Sequence, residues 1–152
     1  MTSSLLKETL ATEAWRLMLD YLIATSPTRN RSLAQRQLTP NDARALHMLN
    51  REKGQAMGAL ARAWNCDPSM VTWIVTRLER GGLATRVSAT EDRRLKLVKL
   101  TQKGEKTKNE LLAEFRAPPS EIMRLSKDEL ESVRHIMGKL LEHHSEPDRV
   151  SR

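Results

Sequence analysis

The stretch CDPSMVTWIVTRLERGG, residues 66–82, decides the fold. Asp67 and Pro68 form a helix start: a carboxylate at the N-cap, then a proline at the first helical position, where its missing N–H costs nothing. Val71, Ile74, Val75 and Leu78 recur at the spacing of one buried helix face. Gly81 and Gly82 supply the stop, because glycine accepts a left-handed cap without steric cost. Outward on this helix stand Ser69, Thr72, Trp73, Thr76, Arg77 and Arg80. Hydroxyl residues are mediocre helix formers, so a face built from them has another use; hydroxyls and arginines bond phosphates and base edges.

A second short helix precedes this one, with Met57, Leu60, Ala61 and Trp64 at i, i+3, i+4 and i+7. Before that, Thr39, Pro40 and Asp42 repeat the start signal. The inner face there is Ala45, Leu46 and Leu49, and the helix is expected to end near Lys53 and Gly54. After Gly82, Thr85-Arg86-Val87 and Leu95-Lys96-Leu97 alternate as two strands of a hairpin, joined by the polar loop SATEDRR. The alternation slips at Leu97-Val98, which predicts a bulge or the end of pairing. The hairpin is expected to be two-stranded and to lean on the helices before it. Helix, tight turn, helix and wing make the winged helix-turn-helix plan, whose second helix enters the major groove.

The flanks are helical. Leu6, Leu10, Ala14, Leu17 and Tyr21 mark an N-terminal helix over residues 5–24, and TSPTRNRSLAQRQ after it reads as a loop. Thr101 opens a helix carrying Leu111, Leu112 and Phe115, which Pro118 and Pro119 break. Ser126 and Glu129 form a capping box before a last helix faced by Leu130, Val133, Met137 and Leu140. The fold class is mostly α with a small β-wing. Residues 1–37 and 104–152 are read as dimerisation helices, and 38–103 as the DNA-binding region. Leu5, Leu6, Leu10, Leu17, Met18, Tyr21 and Leu22 exceed what so small a domain covers. Leu130, Val133, Ile136, Met137, Leu140 and Leu141 form a similar surplus, so a homodimer is expected.

The 152 residues hold 26 Lys and Arg against 19 Asp and Glu, a net +7 that favours anionic partners. Arg86, Arg93, Arg94, Lys96 and Lys99 crowd into the wing, where an arginine can enter an adjacent minor groove. Phosphate contacts are expected from Arg77, Arg80, Arg86 and Lys96, and double-stranded DNA is therefore the expected partner. No apolar run reaches the length of a membrane span, and the N-terminus has no secretory pattern, so a cytoplasmic, membrane-free protein is expected.

From residue 38 to 104 the sequence resembles the MarR (multiple antibiotic resistance regulator) family. The carrying segments are LTPNDARALHML, MGALARAWNCDPSMVTWIVTRLERGGL and EDRRLKLVKLTQKG. The resemblance implies a sequence-specific regulator, a ligand-responsive repressor binding a near-palindromic operator as a homodimer. It implies that Asp92 of the wing pattern Asp-x-Arg braces arginines such as Arg77, while Arg94 or Arg93 reaches the minor groove. Trp73 departs from the family, where Arg or Gly is frequent, and is expected either to wedge against sugar and phosphate or to pack on the wing. Small phenolic or amphipathic ligands are implied in a crevice for which Trp15, Met18, Tyr21, Met48 and Trp64 are the candidates.

Other chemistries are weaker. Cys66, at a helix N-terminus, is the one candidate for an oxidant-responsive regulator, but the chain holds no second cysteine to resolve a sulfenic acid. His47, His135, His143 and His144 lack metal-ligand spacing, and no cofactor is expected. No phosphate-binding glycine loop or nucleophile elbow marks an enzyme. An architectural protein that coats DNA without an operator shares the same motifs and stands as the alternative.

Overall fold

The computed structural model describes residues 3–89 and 94–145. The chain forms two units, the first ending at Arg116 and the second starting at Ala117. In the first unit the order is α1 (Ser3–Gln35), α2 (Pro40–Met48), β1 (Gln55–Ala56), α3 (Met57–Trp64), α4 (Pro68–Arg80), β2 (Ala84–Ser88), β3 (Lys96–Leu100) and α5 (Gln102–Arg116). The second holds a short 3-10 turn, Ile122–Arg124, and α6 (Lys127–Ser145). No helix of the described residues is long and apolar enough to cross a membrane.

The α1 helix runs eleven residues past the predicted end, through Pro27 and all but the last two residues of the segment expected to be a loop. Proline removes one backbone bond and crowds the carbonyl four residues back. Around that turn, side chains cover the carbonyls: Thr25 Oγ1 donates to the Tyr21 carbonyl at 2.9 Å, and Arg29 Nη2 to the Leu22 carbonyl at 2.7 Å. At the far end Leu33 is buried in the core, and that burial favours continuing the helix. Gln37 closes α1 in the left-handed conformation, φ 56°, with Leu38 N donating to Leu33 O and Gln37 N to Ala34 O. Asn65 (φ 50°) and Gly82 (φ 68°) end α3 and α4 with the same pair of bonds.

The core lies where α2, α3, α4 and the sheet meet. Leu46, Leu49, Leu60, Val71, Val75, Leu78 and Val98 are fully buried, with Trp64, Ile74, Leu83, Leu100 and Leu111 around them. All four predicted inner residues of α4 belong to it. Thr39 and Asp42 cap α2 reciprocally, although α2 stops at Met48, earlier than expected. Asp67 occupies the N-cap of α4, but its side chain makes no capping bond; Met70 N and Val71 N donate to its carbonyl.

The wing is a three-stranded antiparallel sheet in the order β1-β3-β2, so the expectation of an isolated two-stranded hairpin fails. Gln55 pairs with Val98 and Ala56 with Leu97 on one edge of β3, and β2 pairs along the other edge from Ala84↔Leu100 to Ser88↔Lys96. This register is unbroken at Leu97-Val98, where a bulge was expected. Both faces of β3 are covered instead: Val98 and Leu100 point into the core, and Leu97 faces Gly54. A Cβ at Gly54 would lie 2.6 Å from that of Leu97, so only glycine lets the chain pass there.

The α5 helix clamps the unit. Lys103 Nζ donates to the Gly81 carbonyl at the end of α4 (2.7 Å), and Lys108 Nζ to the Leu49 carbonyl at the end of α2 (2.8 Å). A cation belongs at both places, where unpaired carbonyls concentrate negative partial charge. Arg36, just past α1, donates to Glu114 of α5, which Ser32 also contacts. These donors hold the Glu114 carboxyl below its ordinary value, Arg36 contributing most, and the Arg36 guanidinium is raised in turn.

In the second unit, Ser126 and Glu129 form the predicted capping box, and the resulting bond from the Ser126 backbone lowers the Glu129 carboxyl. Val133, Ile136, Met137, Leu140 and Leu141 of α6 are all exposed in the single chain, as are Leu5, Leu6, Leu10, Trp15, Leu17, Leu22 and Ile23 of α1.

Candidate nucleic-acid interface

With 3.6 residues per turn, Ser69, Trp73, Thr76 and Arg80 fall on one stripe of α4, flanked by Thr72 and Glu79 on one side and by Arg77 and Met70 on the other. Ser69, Met70, Thr72, Trp73 and Arg80 are exposed; Thr76 and Arg77 are half-buried. Each flank is tied down by an arginine.

On the wing side, Arg86 of β2 reaches back over α4. Its guanidinium pairs with Glu79 and donates to Thr76 Oγ1 at 3.2 Å and to the Thr72 carbonyl at 3.4 Å. Its backbone N–H donates to Glu79 Oε1 at 2.9 Å. Wing and helix are thereby joined as one body, and Glu79 becomes the anchor of the joint.

On the other flank, Arg77 Nη2 meets Asp42 Oδ2 at 2.8 Å and the Gln37 carbonyl at 3.3 Å. Asp42 is wholly buried. The same Oδ2 accepts from Thr39 N at 2.7 Å and from Thr39 Oγ1 at 2.8 Å, so the capping carboxylate of α2 also anchors the arginine of α4. The Arg77 guanidinium carbon in turn sits 4.6 Å from the centroid of the Trp73 ring, a cation–π contact.

Two expectations from the sequence change accordingly. The guanidinium groups of Arg77 and Arg86, expected among the phosphate contacts, are instead engaged by Asp42 and Glu79, because buried or half-buried carboxylates beside them need a cation. Trp73 packs on Arg77 of its own helix rather than on the wing. Asp92, the expected brace, and Arg93 lie outside the described residues. Arg94 is exposed at the start of the described return of the wing, and exposed Lys96 donates to Ser88 Oγ at 2.7 Å. Asp42 and Glu79 are anchors that the sequence does not reveal. It marks Asp42 only as a cap, and nothing in its spacing points to a partner 35 positions away.

The five residues assigned to a ligand crevice differ widely in exposure. Trp64 is core at 4% exposure while Trp15 is 61% exposed, and Met18, Tyr21 and Met48 are half-buried. A different cavity, of about 340 Å³, opens where α1, α2 and α5 meet. Its floor is Leu33, Leu46, Leu111, Leu112 and Phe115, and its rim carries Arg29, Arg44, His47 and Lys108. Cys66 is half-buried at the start of the turn into α4. No cluster of three metal-ligating side chains occurs among the described residues.

A helix-turn-helix whose second helix is exposed along one stripe and bonded to a β-wing defines the winged-helix class of DNA-binding folds. The MarR family model matches residues 38–96, the segment that holds α2, β1, α3, α4 and β2 and ends at the first residue of β3. The chain is 29% identical over 115 residues to the HTH-type transcriptional repressor MdtR of Bacillus subtilis (strain 168), covering 75% of this chain and 74% of that one. Its fold resembles that of YusO from Bacillus subtilis, with a TM-score of 0.73 at 24% identity over 93% of this chain and 99% of the other. It also resembles S. aureus MepR in a crystallised DNA complex, with a TM-score of 0.60 at 21% identity over 86% of this chain and 97% of that one. Over residues 38–96 the chain is thus similar to the MarR family, and its fold is that of the MarR proteins whose structures it resembles.

Proposed function

We propose that the protein is a repressor that binds a near-palindromic operator as a homodimer and responds to a small amphipathic ligand. The observation that carries this reading is the α4 stripe of Ser69, Trp73, Thr76 and Arg80, held rigidly beside a basic wing. Thr72 and Met70 border the stripe, and Arg80, Arg94 and Lys96 supply charge for phosphate contacts. Relatives support the same direction: MdtR is named a transcriptional repressor, and MepR has been crystallised with DNA.

The apolar side chains exposed on α1 and on α6 favour a second copy as their cover, because a lone chain seldom leaves that much in water. A two-fold dimer places its recognition helices about 34–36 Å apart, one turn of duplex, and so selects a symmetric site. The cavity between α1, α2 and α5 is the ligand site that its chemistry recommends. An apolar floor takes a ring or chain, and the cationic rim takes a carboxylate or phenolate.

The test is binding of the purified protein to its own upstream DNA and to a scrambled duplex of equal length, over a range of salt. Tight binding to the first alone, at two chains per site, is expected. Equal binding to both, steep in salt, would instead mean sequence-independent coating.

A further inference from the structure

We infer that Trp73 reads the 5-methyl group of a thymine in the major groove, with Asp42 and Arg77 as the positioning residues that aim its indole. The inference rests on α4 being the DNA-reading helix and says what that helix reads.

Trp73 lies on the stripe between the two fixed flanks and is 50% exposed. One face of its ring is covered. Asp42 cannot move without breaking the cap of α2; it holds Arg77 at 2.8 Å, and Arg77 lies against the ring at 4.6 Å. The donors of Arg77 directed at Asp42 and at the Gln37 carbonyl are lost for guanine recognition. The apolar group that this flank presents to DNA is the indole, restrained on one face by Arg77, which lowers the rotamer entropy lost on binding.

The chemistry of the groove selects its target. An indole has one N–H donor and no acceptor. Set against the amino group of cytosine or adenine, it would bury a donor with no acceptor to receive it. The major groove offers one apolar group, the methyl of thymine, and the carbon face of an indole covers it.

The test uses the full-length protein and the duplex it enriches from a random 30-bp pool. Each thymine is replaced singly by deoxyuridine, which removes the methyl and keeps the base pair. One position per half-site is expected to lose roughly fourfold in affinity, the effect of one buried methyl. Trp73→Ala should bind the thymine and uracil duplexes equally, and Trp73→Phe should keep part of the discrimination. Arg77→Lys, which keeps the charge but loses the planar fork, should discriminate less than the wild type. Indifference of the wild type to every uracil, with the duplex still bound tightly, overturns the inference and leaves DNA recognition standing. A folded Trp73→Ala protein that discriminates as well as the wild type overturns it equally. Failure to enrich any duplex overturns the DNA reading itself, and this inference with it.

Discussion

Replacing Gly104 by alanine tests whether α5 is seated as closely as the structure has it. Gly104 lies in the first turn of α5, and an added Cβ would stand 1.8 Å from the Leu83 carbonyl oxygen and 2.8 Å from its carbon. Both are backbone atoms, so no side chain can swing aside. Relief to ordinary contact needs a separation on the order of 1.5 Å between α5 and the chain leaving α4. That movement pulls on the bond from Thr101 N to Leu83 O (3.0 Å), on that from Thr101 Oγ1 to Gly82 O (2.6 Å), and on the Lys103 tie to Gly81. Overpacking costs about 1–3 kcal/mol and each strained bond about 1 kcal/mol. Alanine returns up to about 1 kcal/mol of helix propensity, leaving a net loss of about 2–4 kcal/mol. For a chain of this size that lowers the melting temperature by roughly 5–15 °C. Urea and thermal melts measure it, with Gly58→Ala as the companion, because a Cβ there meets only the end of Arg62 at 3.9 Å. Gly58→Ala should be neutral or slightly stabilising. A Gly104→Ala protein within about 0.5 kcal/mol of wild type would refute the close seating of α5.

Asp42→Ala removes a helix cap and a buried ion-pair partner together, and should cost about 2–4 kcal/mol in denaturant melts. Adding Arg77→Ala should cost less than the separate losses combined, by at least about 0.5 kcal/mol, because the two residues share one contact. The lowered Glu114 carboxyl gives a pH dependence of definite sign: its contribution is complete above the ordinary value of 4.5 and is lost as pH falls through the lower folded-state value. Melts between pH 6 and pH 3 should therefore show a steeper acid loss in wild type than in Glu114→Gln. Leu140→Glu on the exposed face of α6 should yield monomers in sedimentation and weaken operator binding, whereas a face that remains in water would tolerate it.

Much of the helix-turn-helix was legible because local signals agree with burial there. Thr39 and Asp42 announce α2, the apolar period of residues 71–78 announces the buried side of α4, and Gly82 takes the left-handed end expected of that glycine pair. Where local and tertiary terms disagreed, the tertiary term prevailed. Pro27 and the polar residues after it looked like a connection, yet Leu33 in the core carries α1 onward. β1 escaped notice because two residues have no period; its pairing belongs to β3, more than forty positions along the chain. At the interface, composition singled out the arginines but not which of them are spent within the protein. That distinction depends on Asp42, which the sequence marks only as a helix cap, and on Glu79, which it does not single out.

The double duty of Asp42 limits how the proposed DNA recognition can be retargeted. A library that varies α4 alone, with position 77 among its randomised sites, leaves a carboxylate sealed in the core facing residues that cannot neutralise it. Most such members will be lost to misfolding before their DNA preference is sampled. Positions 42 and 77 behave as one unit of sequence, and a change of operator that passes through Arg77 has to be encoded on two helices at once.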